Sequence, residues 1–503
     1  MKNRFALTAP SRPALLIGSF IVLACTLSAG PSRAQDPAPA DATPATPSAP
    51  SDPAQPPAPD TAALEAKIEE ANQRALIVER KLELLEEAAA TAKTTAPVLT
   101  AGERGFNWKS ADGAFVVKVR GIIHADAREY LDDDVLEQSN TFLIRRARPT
   151  LEATFFDVAD FKLMPDFAGS TAALQDAYID LHPFPWLKLR AGKFKPPVGL
   201  ERLQSAAAIV FPERALPTFL VPNRDVGVQL HGVIGPSILT YELGIFNGVV
   251  DGASGDTDSN YAKDFAGRLF LTPGKRDPYS VIANLGIGIA ASIGGQRGRP
   301  ATFATSGTTT TRTANSIPGL PSFRSAGQQA FFSYLVNDNF ADITTIGRGR
   351  RTRLSPQAYW YYDSLGLLGE YVQSSQRVLK GANRTTLTHR AWQVQASYVL
   401  GGKALFEGVS VTNPLSTKTG NLGALELGFR YNALAIDDDT FPTYADINAA
   451  AKKATAFGGV LNWHWSKAIK LSAAYERTDF EGGVRGGDRA TEHVLFQRVQ
   501  STF

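Results

Sequence analysis

The sequence predicts an all-β protein, a sixteen-stranded antiparallel transmembrane β-barrel with an N-terminal coiled-coil helix. Three observations carry that expectation. Beyond Thr100, apolar and polar residues alternate singly in one short segment after another, the period of a strand with two unlike faces. The connections between these segments alternate between short and long, as the periplasmic turns and extracellular loops of an outer-membrane barrel do. Finally, the chain opens with an export leader and ends in Phe503 on an alternating segment, with Trp360, Tyr362, Trp392, Tyr398, Trp463, Trp465 and Tyr475 near strand ends like an interfacial girdle. A soluble β-sandwich also alternates, but it calls for neither an envelope address nor an aromatic belt.

Residues 1–34 read as a Sec signal peptide. Lys2, Arg4 and Arg12 form a basic start, and the apolar stretch from Ala14 to Ala29 falls short of the ~18 to 20 residues of a spanning helix. Ser32-Arg33-Ala34 then supplies small residues at a cleavage site. Val22-Leu23-Ala24-Cys25 carries part of a lipoprotein signal, although Thr26 and Leu27 continue the apolar run past it. Cys25 is the single cysteine, so the mature chain is expected to have no disulfide, thiol nucleophile or cysteine metal site.

Residues 35–60, almost entirely Pro, Ala, Asp, Ser, Thr and Gln, cannot bury a core and are expected to form an extended linker. Over 61–92, Leu64, Ile68, Ala71, Ala75, Val78, Leu82, Leu85 and Ala89 follow a 4-3 spacing with charged residues between them, which predicts a periplasmic coiled coil. A lone helix would leave that stripe wet, so self-association is expected.

Sixteen barrel segments are expected within 106–503: 115–124, 143–151, 161–167, 174–181, 187–191, 226–231, 238–246, 265–271, 281–293, 353–362, 366–373, 390–400, 422–431, 457–465, 469–476 and 492–503. With both termini periplasmic the number must be even, so a further candidate at 328–335 is assigned to the fifth loop. Residues 401–421 occupy a periplasmic slot yet are long. Either a strand is misplaced there or the turn folds back into the lumen.

The stretches Phe142-Leu143-Ile144-Arg145-Arg146-Ala147-Arg148, Asp176-Ala177-Tyr178-Ile179-Asp180, Arg190-Ala191-Gly192-Lys193-Phe194-Lys195-Pro196-Pro197-Val198-Gly199-Leu200-Glu201, Pro212-Glu213-Arg214 and Asn223-Arg224-Asp225-Val226-Gly227 resemble the phosphate-selective porins O and P of Gram-negative outer membranes. That resemblance spans most of residues 115–503. It implies a sixteen-stranded trimeric channel, often with an N-terminal coiled coil, and phosphate as cargo.

Catalytic constellations are missing. The six histidines form no His-x-x-x-His pair, no Gly-x-Ser-x-Gly is present, and Gly286-Ile287-Gly288 lacks the rest of a nucleotide fingerprint, so neither an enzyme, a cofactor nor a metal is expected. The full chain carries a net charge of +3, but without the leader 48 basic face 49 acidic residues, a net −1. Any preference for anions must therefore come from placement. Residues 193–222 are long, apolar and Pro-studded, and should fold into the barrel as a constriction carrying Arg202 and Arg214, with Arg224 just beyond. Arg120, Arg146, Arg148 and Arg190 on strands, with Arg351 and Arg353 after the fifth loop, are expected to line the anion path. The expected function is a passive channel for small anions, phosphate or polyphosphate, in a homotrimer held by outer-membrane lipid, with no nucleic-acid partner. The alternatives are a general or sugar-type porin, and an envelope tether whose N-terminal segment contacts the cell wall while the barrel serves as an anchor.

The heptad spacing generates a test. Replacing Ile68, Val78 and Leu82 together with Asp should abolish crosslinks between copies of residues 61–92 and leave the barrel folded; an unchanged crosslinking pattern would mean that the helix stands alone.

Overall fold

The computed structural model describes residues 61–503 apart from 104, 132–138, 237, 259–260, 307 and 341–342, so the leader and linker expectations lie outside the described residues. The chain divides after Arg80 into two units. A single helix, α1 (Thr61–Thr95), crosses that boundary, and Leu64, Ile68, Val78, Leu82 and Leu85 along it are all exposed.

The second unit is a closed barrel of sixteen antiparallel strands: β1 (Phe115–Tyr130), β2 (Thr141–Phe155), β3 (Ala159–Asp166), β4 (Ala173–Phe184), β5 (Leu187–Phe194), β6 (Asp225–Ile234), β7 (Leu239–Phe246), β8 (Asp264–Leu271), β9 (Asn284–Arg297), β10 (Ile346–Tyr362), β11 (Leu365–Lys380), β12 (Asn383–Leu400), β13 (Ala424–Ala435), β14 (Ala451–His464), β15 (Ile469–Val484) and β16 (Glu492–Thr502). Each of the sixteen expected segments overlaps one of these strands. Residues 328–335 add no wall strand; they contribute to a short pairing inside the fifth loop, Phe323–Arg324 with Ala330–Phe332.

Several strands run well beyond their expected ends. β10 starts at Ile346 rather than 353, and β15 continues to Val484 rather than 476. In these extensions the outward residues no longer need to be apolar, so the hydropathy period fades while the hydrogen-bonded ladder continues.

Alternation sets the two faces. Along β12 buried and exposed residues alternate from Leu387 to Leu400. Outward residues such as Leu189, Val228, Leu230, Ile245 and Phe265 are apolar and exposed, whereas the inward row of β1 is His124, Asp126, Arg128 and Tyr130, all buried. One bulge changes a face. His124 pairs with Arg146 and Ala125 with Ile144, so Arg145 is the extra residue, and both members of the Arg145-Arg146 pair point inward.

β16 closes on β1 from Val494 opposite Tyr130 to Thr502 opposite Ile122. The same edge of β1 then continues with a hairpin, Val98–Gly102 and Gly105–Lys109, which pairs from Phe106 opposite Val119 to Lys109 opposite Val116. Phe503 fills the junction: Gly121 and Phe503 exchange backbone hydrogen bonds of 2.9 and 3.1 Å. A Cβ on Gly121 would come within 2.3 Å of the Phe503 ring. Around this short-turn rim the stacked pairs Phe184 with Trp186 and Trp360 with Tyr362 join Trp463 and Trp465 in an aromatic belt. Trp392 instead sits mid-strand, edge-on to Tyr431.

The closure on Phe503 generates a test. Deleting Phe503, replacing it with Asp, or changing Gly121 to Leu is expected to reduce the heat-modifiable, folded form in the outer membrane severely. Normal mobility in all three variants would show that the junction is dispensable.

Candidate functional site

Loop 3, residues 195–224, lies inside the barrel. Val198, Leu200, Ile209, Phe211, Leu216, Leu220 and Val221 are all almost fully buried, which explains why a loop of this composition leaves water. Its backbone must then find partners indoors, and the wall supplies them. Glu370 on β11 accepts from the N–H groups of Leu200 and Glu201 at 2.6 and 3.3 Å. Asn432 accepts from the Leu216 N–H at 3.1 Å. Carbonyls along the loop are caught by successive strands: Glu213 by Arg430 at 2.8 Å, Val210 by Asn462 at 2.9 Å, Ile209 by Lys470 at 3.0 Å, Pro212 by Arg498 at 2.7 Å and Ala207 by Gln500 at 3.0 Å. Loop 3 is thus bolted to the inner surface of β11 to β16.

A second segment enters from the opposite rim. Residues 401–423 fold into the lumen, where Gln204 of loop 3 donates to the Phe406 carbonyl at 2.8 Å and the Phe406 ring stacks on Tyr359 at 4.5 Å. No strand is misplaced at this slot. Between loop 3, this turn and the short-turn rim lies a cavity of about 830 Å³. Nine basic and five acidic residues line it among the described residues.

The arginines expected on the path fall into two groups. Those on or next to the wall are matched by carboxylates. Arg120 meets Glu152 at 3.0 Å, Arg148 meets Asp166 at 2.7 Å, and Arg224 meets Asp176 at 2.9 Å. Arg190 makes two bonds to Asp180, at 3.0 and 2.5 Å, while its guanidinium lies 4.5 Å from the Tyr178 ring centre. Arg351 and Arg353 share Asp264, and Arg353 also binds Asp251, at 2.6 to 2.8 Å; both arginines are about 3% exposed and do not line the cavity. Arg146 is buried against the His124 Nδ1 at 3.0 Å and is also absent from the lining.

The loop cations are different. Arg202 donates to the Asn223 Oδ1 and the Thr218 carbonyl at 3.2 and 2.5 Å, and Arg214 to the carbonyls of Glu201 and Gln204 at 3.1 and 2.8 Å. Lys195 donates to the carbonyls of Leu203 and Gln204 at 3.2 and 2.7 Å. Carbonyls supply partial charge only, so none of these three side chains is neutralised by an adjacent carboxylate. Burial, and then mutual repulsion with Arg214 and Arg224, draws Arg202 down to about 9; burial does most of the same for Arg214, to about 10, and pulls Lys195 well below its ordinary value. Glu201 and Glu370 act the other way on Arg202, Glu201 and Glu213 on Arg214, and Asp176 on Lys195, none of them in direct ion-pair contact. Arg202 and Arg214 stand one layer behind the lining, whereas Lys195 lines the cavity itself, as does Lys470, whose ammonium donates to a loop carbonyl.

Of the nine expected residues, Arg120, Arg148, Arg190 and Arg224 therefore line the cavity; Lys162, Lys195, Arg268, Lys467 and Lys470 line it without being among the nine, and Arg145, outside the lining, holds loop 3. Arg145 binds Glu213 of loop 3 through two bonds, at 2.5 and 3.2 Å. A signal for it existed: strict alternation would have placed one of two adjacent arginines in lipid, at roughly 2 to 4 kcal/mol.

The sequence also matches known proteins. Residues 117–503 match the family profile described as phosphate-selective porin O and P. Porin O of Pseudomonas aeruginosa is 24% identical over 436 residues, which cover 79% of this chain and 91% of that protein. Among solved structures, the anion-selective porin from Comamonas acidovorans shows a TM-score of 0.48 at 12% identity, covering 77% of this chain and all of that one. The outer-membrane channel DcaP of Acinetobacter baumannii gives the same score and identity, with 80% and 100% coverage. A closed sixteen-stranded barrel and a profile match over more than three quarters of the sequence identify the chain as a member of the phosphate-selective porin O and P family, an outer-membrane porin and not an enzyme.

Proposed function

We propose that this porin is a passive channel selective for small anions, with phosphate among its cargo, working without a cofactor or energy coupling. The observation that supports the reading most directly is the difference between matched and unmatched cations. Wall arginines paired with carboxylates contribute little net field, whereas Lys195, Arg202 and Arg214 sit within low-dielectric surroundings with only carbonyl and amide partners. An anion entering the cavity meets that uncompensated charge; a cation is repelled. Binding need only be strong enough to replace hydration and weak enough to allow release. The family's description as phosphate-selective supports phosphate as one cargo. In this reading the short-turn rim and both termini face the periplasm, and the chain works as a trimer whose copies of α1 associate with one another.

Two tests follow from the charge pairing. In a potassium chloride gradient, purified channels should give an anion-selective reversal potential, and R202Q/R214Q/R224Q should move it close to zero; a cation-selective wild type, or an unchanged triple variant, would overturn the mechanism. By contrast, R353Q should leave selectivity intact while destabilising the barrel by roughly 3 to 5 kcal/mol, because Asp251 loses its closest cation and Asp264 keeps only Arg351. Thermal unfolding of the purified protein, read beside its reversal potential, checks both halves of that expectation.

A further inference from the structure

We infer that the cavity below loop 3 binds organic anions whose carboxylate or phosphate is carried on a planar or apolar body, in preference to inorganic or small aliphatic anions of the same charge. This rests on the anion-channel reading and names a substrate class for the same site. Its basis is the part of the lining that the cations do not explain.

Leu203 and Ala206 on loop 3 line the cavity together with Leu405 and Val409 on the inward turn. The two segments meet closely, for a Cβ on Gly408 would lie 3.6 Å from the Cα of Ala208. The result is an apolar strip, interrupted by Glu407, with Lys195 bonded to the Leu203 carbonyl beside it and Lys470 elsewhere in the same lining. A hydrated inorganic ion gains nothing from such a strip, because alkyl groups replace none of its hydration. An anion with an apolar body loses water-exposed surface there, and sites for organic ligands share this makeup of an apolar lining with a few fixed polar groups.

The adjoining wall extends the strip with aromatic surface. Tyr178 lines the cavity edge-on to Phe194 at 5.9 Å, and Phe194 is edge-on to Phe246 at 5.4 Å, so the rings form one rigid group. The seat of Tyr178 is built by its neighbour strand: Gly192 has φ of +132°, and a Cβ there would fall 3.0 Å from the Tyr178 Cβ. Only glycine suits that position. Arg190, stacked on Tyr178, has its charge matched by Asp180. Its guanidinium therefore offers a planar surface more than a net charge. Ring and guanidinium together make a platform for a flat molecule, while Lys195 and Lys470 receive its anionic group.

The experiment uses the purified full-length channel in planar bilayers, with chloride current blocked by two matched pairs, acetate against benzoate and inorganic phosphate against phenylphosphonate. Benzoate and phenylphosphonate should each half-block at an about fivefold lower concentration than their partners. Tyr178→Leu and Val409→Ser should each bring that ratio towards one; Val409 lies outside the barrel wall, so its variant does not depend on barrel closure. Equal block within both pairs in the wild type would overturn the inference and leave an anion channel standing, as would a ring advantage that persists in both variants. No block by any of the four, with a cation-selective reversal potential, would instead mean that the underlying anion reading had failed.

Discussion

Everything inside this barrel depends on how loop 3 satisfies its backbone. The outward face of the wall is committed to lipid, so an apolar loop can leave water only by turning inward, and a loop that turns inward must find partners for its own peptide groups. The inward rows of β11 to β16 provide them, with Glu370, Arg430, Asn432, Asn462, Lys470, Arg498 and Gln500 all binding loop-3 backbone. Several of these residues would look from their chemistry like pore-lining charges. Their first task is structural, and the cross-section left open for diffusion is what remains after loop 3 has been fastened.

That constraint also decides which charges can act on a passing ion. A buried arginine facing a carboxylate is held in a satisfied pair, and breaking it costs far more than the pair adds. Arg353 with Asp251 and Asp264, or Arg498 with two bonds to Asp126 at 2.7 and 2.6 Å, belong to this class. They stiffen the wall and hold loops against it: Asp251, for example, ties its own stretch of loop to β10 through Arg353 and to β11 through Ser374. Cations whose only partners are carbonyls differ in kind, because their charge remains available to whatever enters the cavity.

Legibility followed the physics of each level. All sixteen wall strands could be read from period-two alternation, because lipid outside and water inside impose the two faces directly. Their upper ends could not, since above the membrane the outward face needs no apolar residue. The inward folding of loop 3 was legible from its apolar, Pro-rich composition, and the odd length of residues 401–421 raised the inward turn as one of two options. The partners of Arg351 and Arg353 were not legible. Asp251 lies in a loop and Asp264 at the foot of a strand about 90 residues earlier, and only closure of the sheet brings them together. Likewise the inward face of Arg145 follows from a one-residue bulge that hydropathy does not encode.

The near-balance of charge over residues 35–503 does not fix the field inside the barrel, because pairing decides which charges act there. Counting residues gives 48 basic against 49 acidic and predicts indifference. Yet charges in ion pairs on the inner wall nearly cancel at the distance of a diffusing ion, and those on exposed hairpins such as Thr302–Ser306 with Thr309–Ala314 are screened within ~8 to 10 Å at physiological salt. What remains is the local excess around loop 3, where Lys195, Arg202 and Arg214 have no direct carboxylate partner: Glu201, next to Arg202, spends its Oε2 on the Ala215 N–H and Gln393, and Glu213, next to Arg214, is held by Arg145. The field inside such a cavity is set by a few side chains and by the contacts that hold the nearby acids away from them. Total charge constrains solubility and assembly; the sign of the local field is set by which charges the fold leaves without a direct partner.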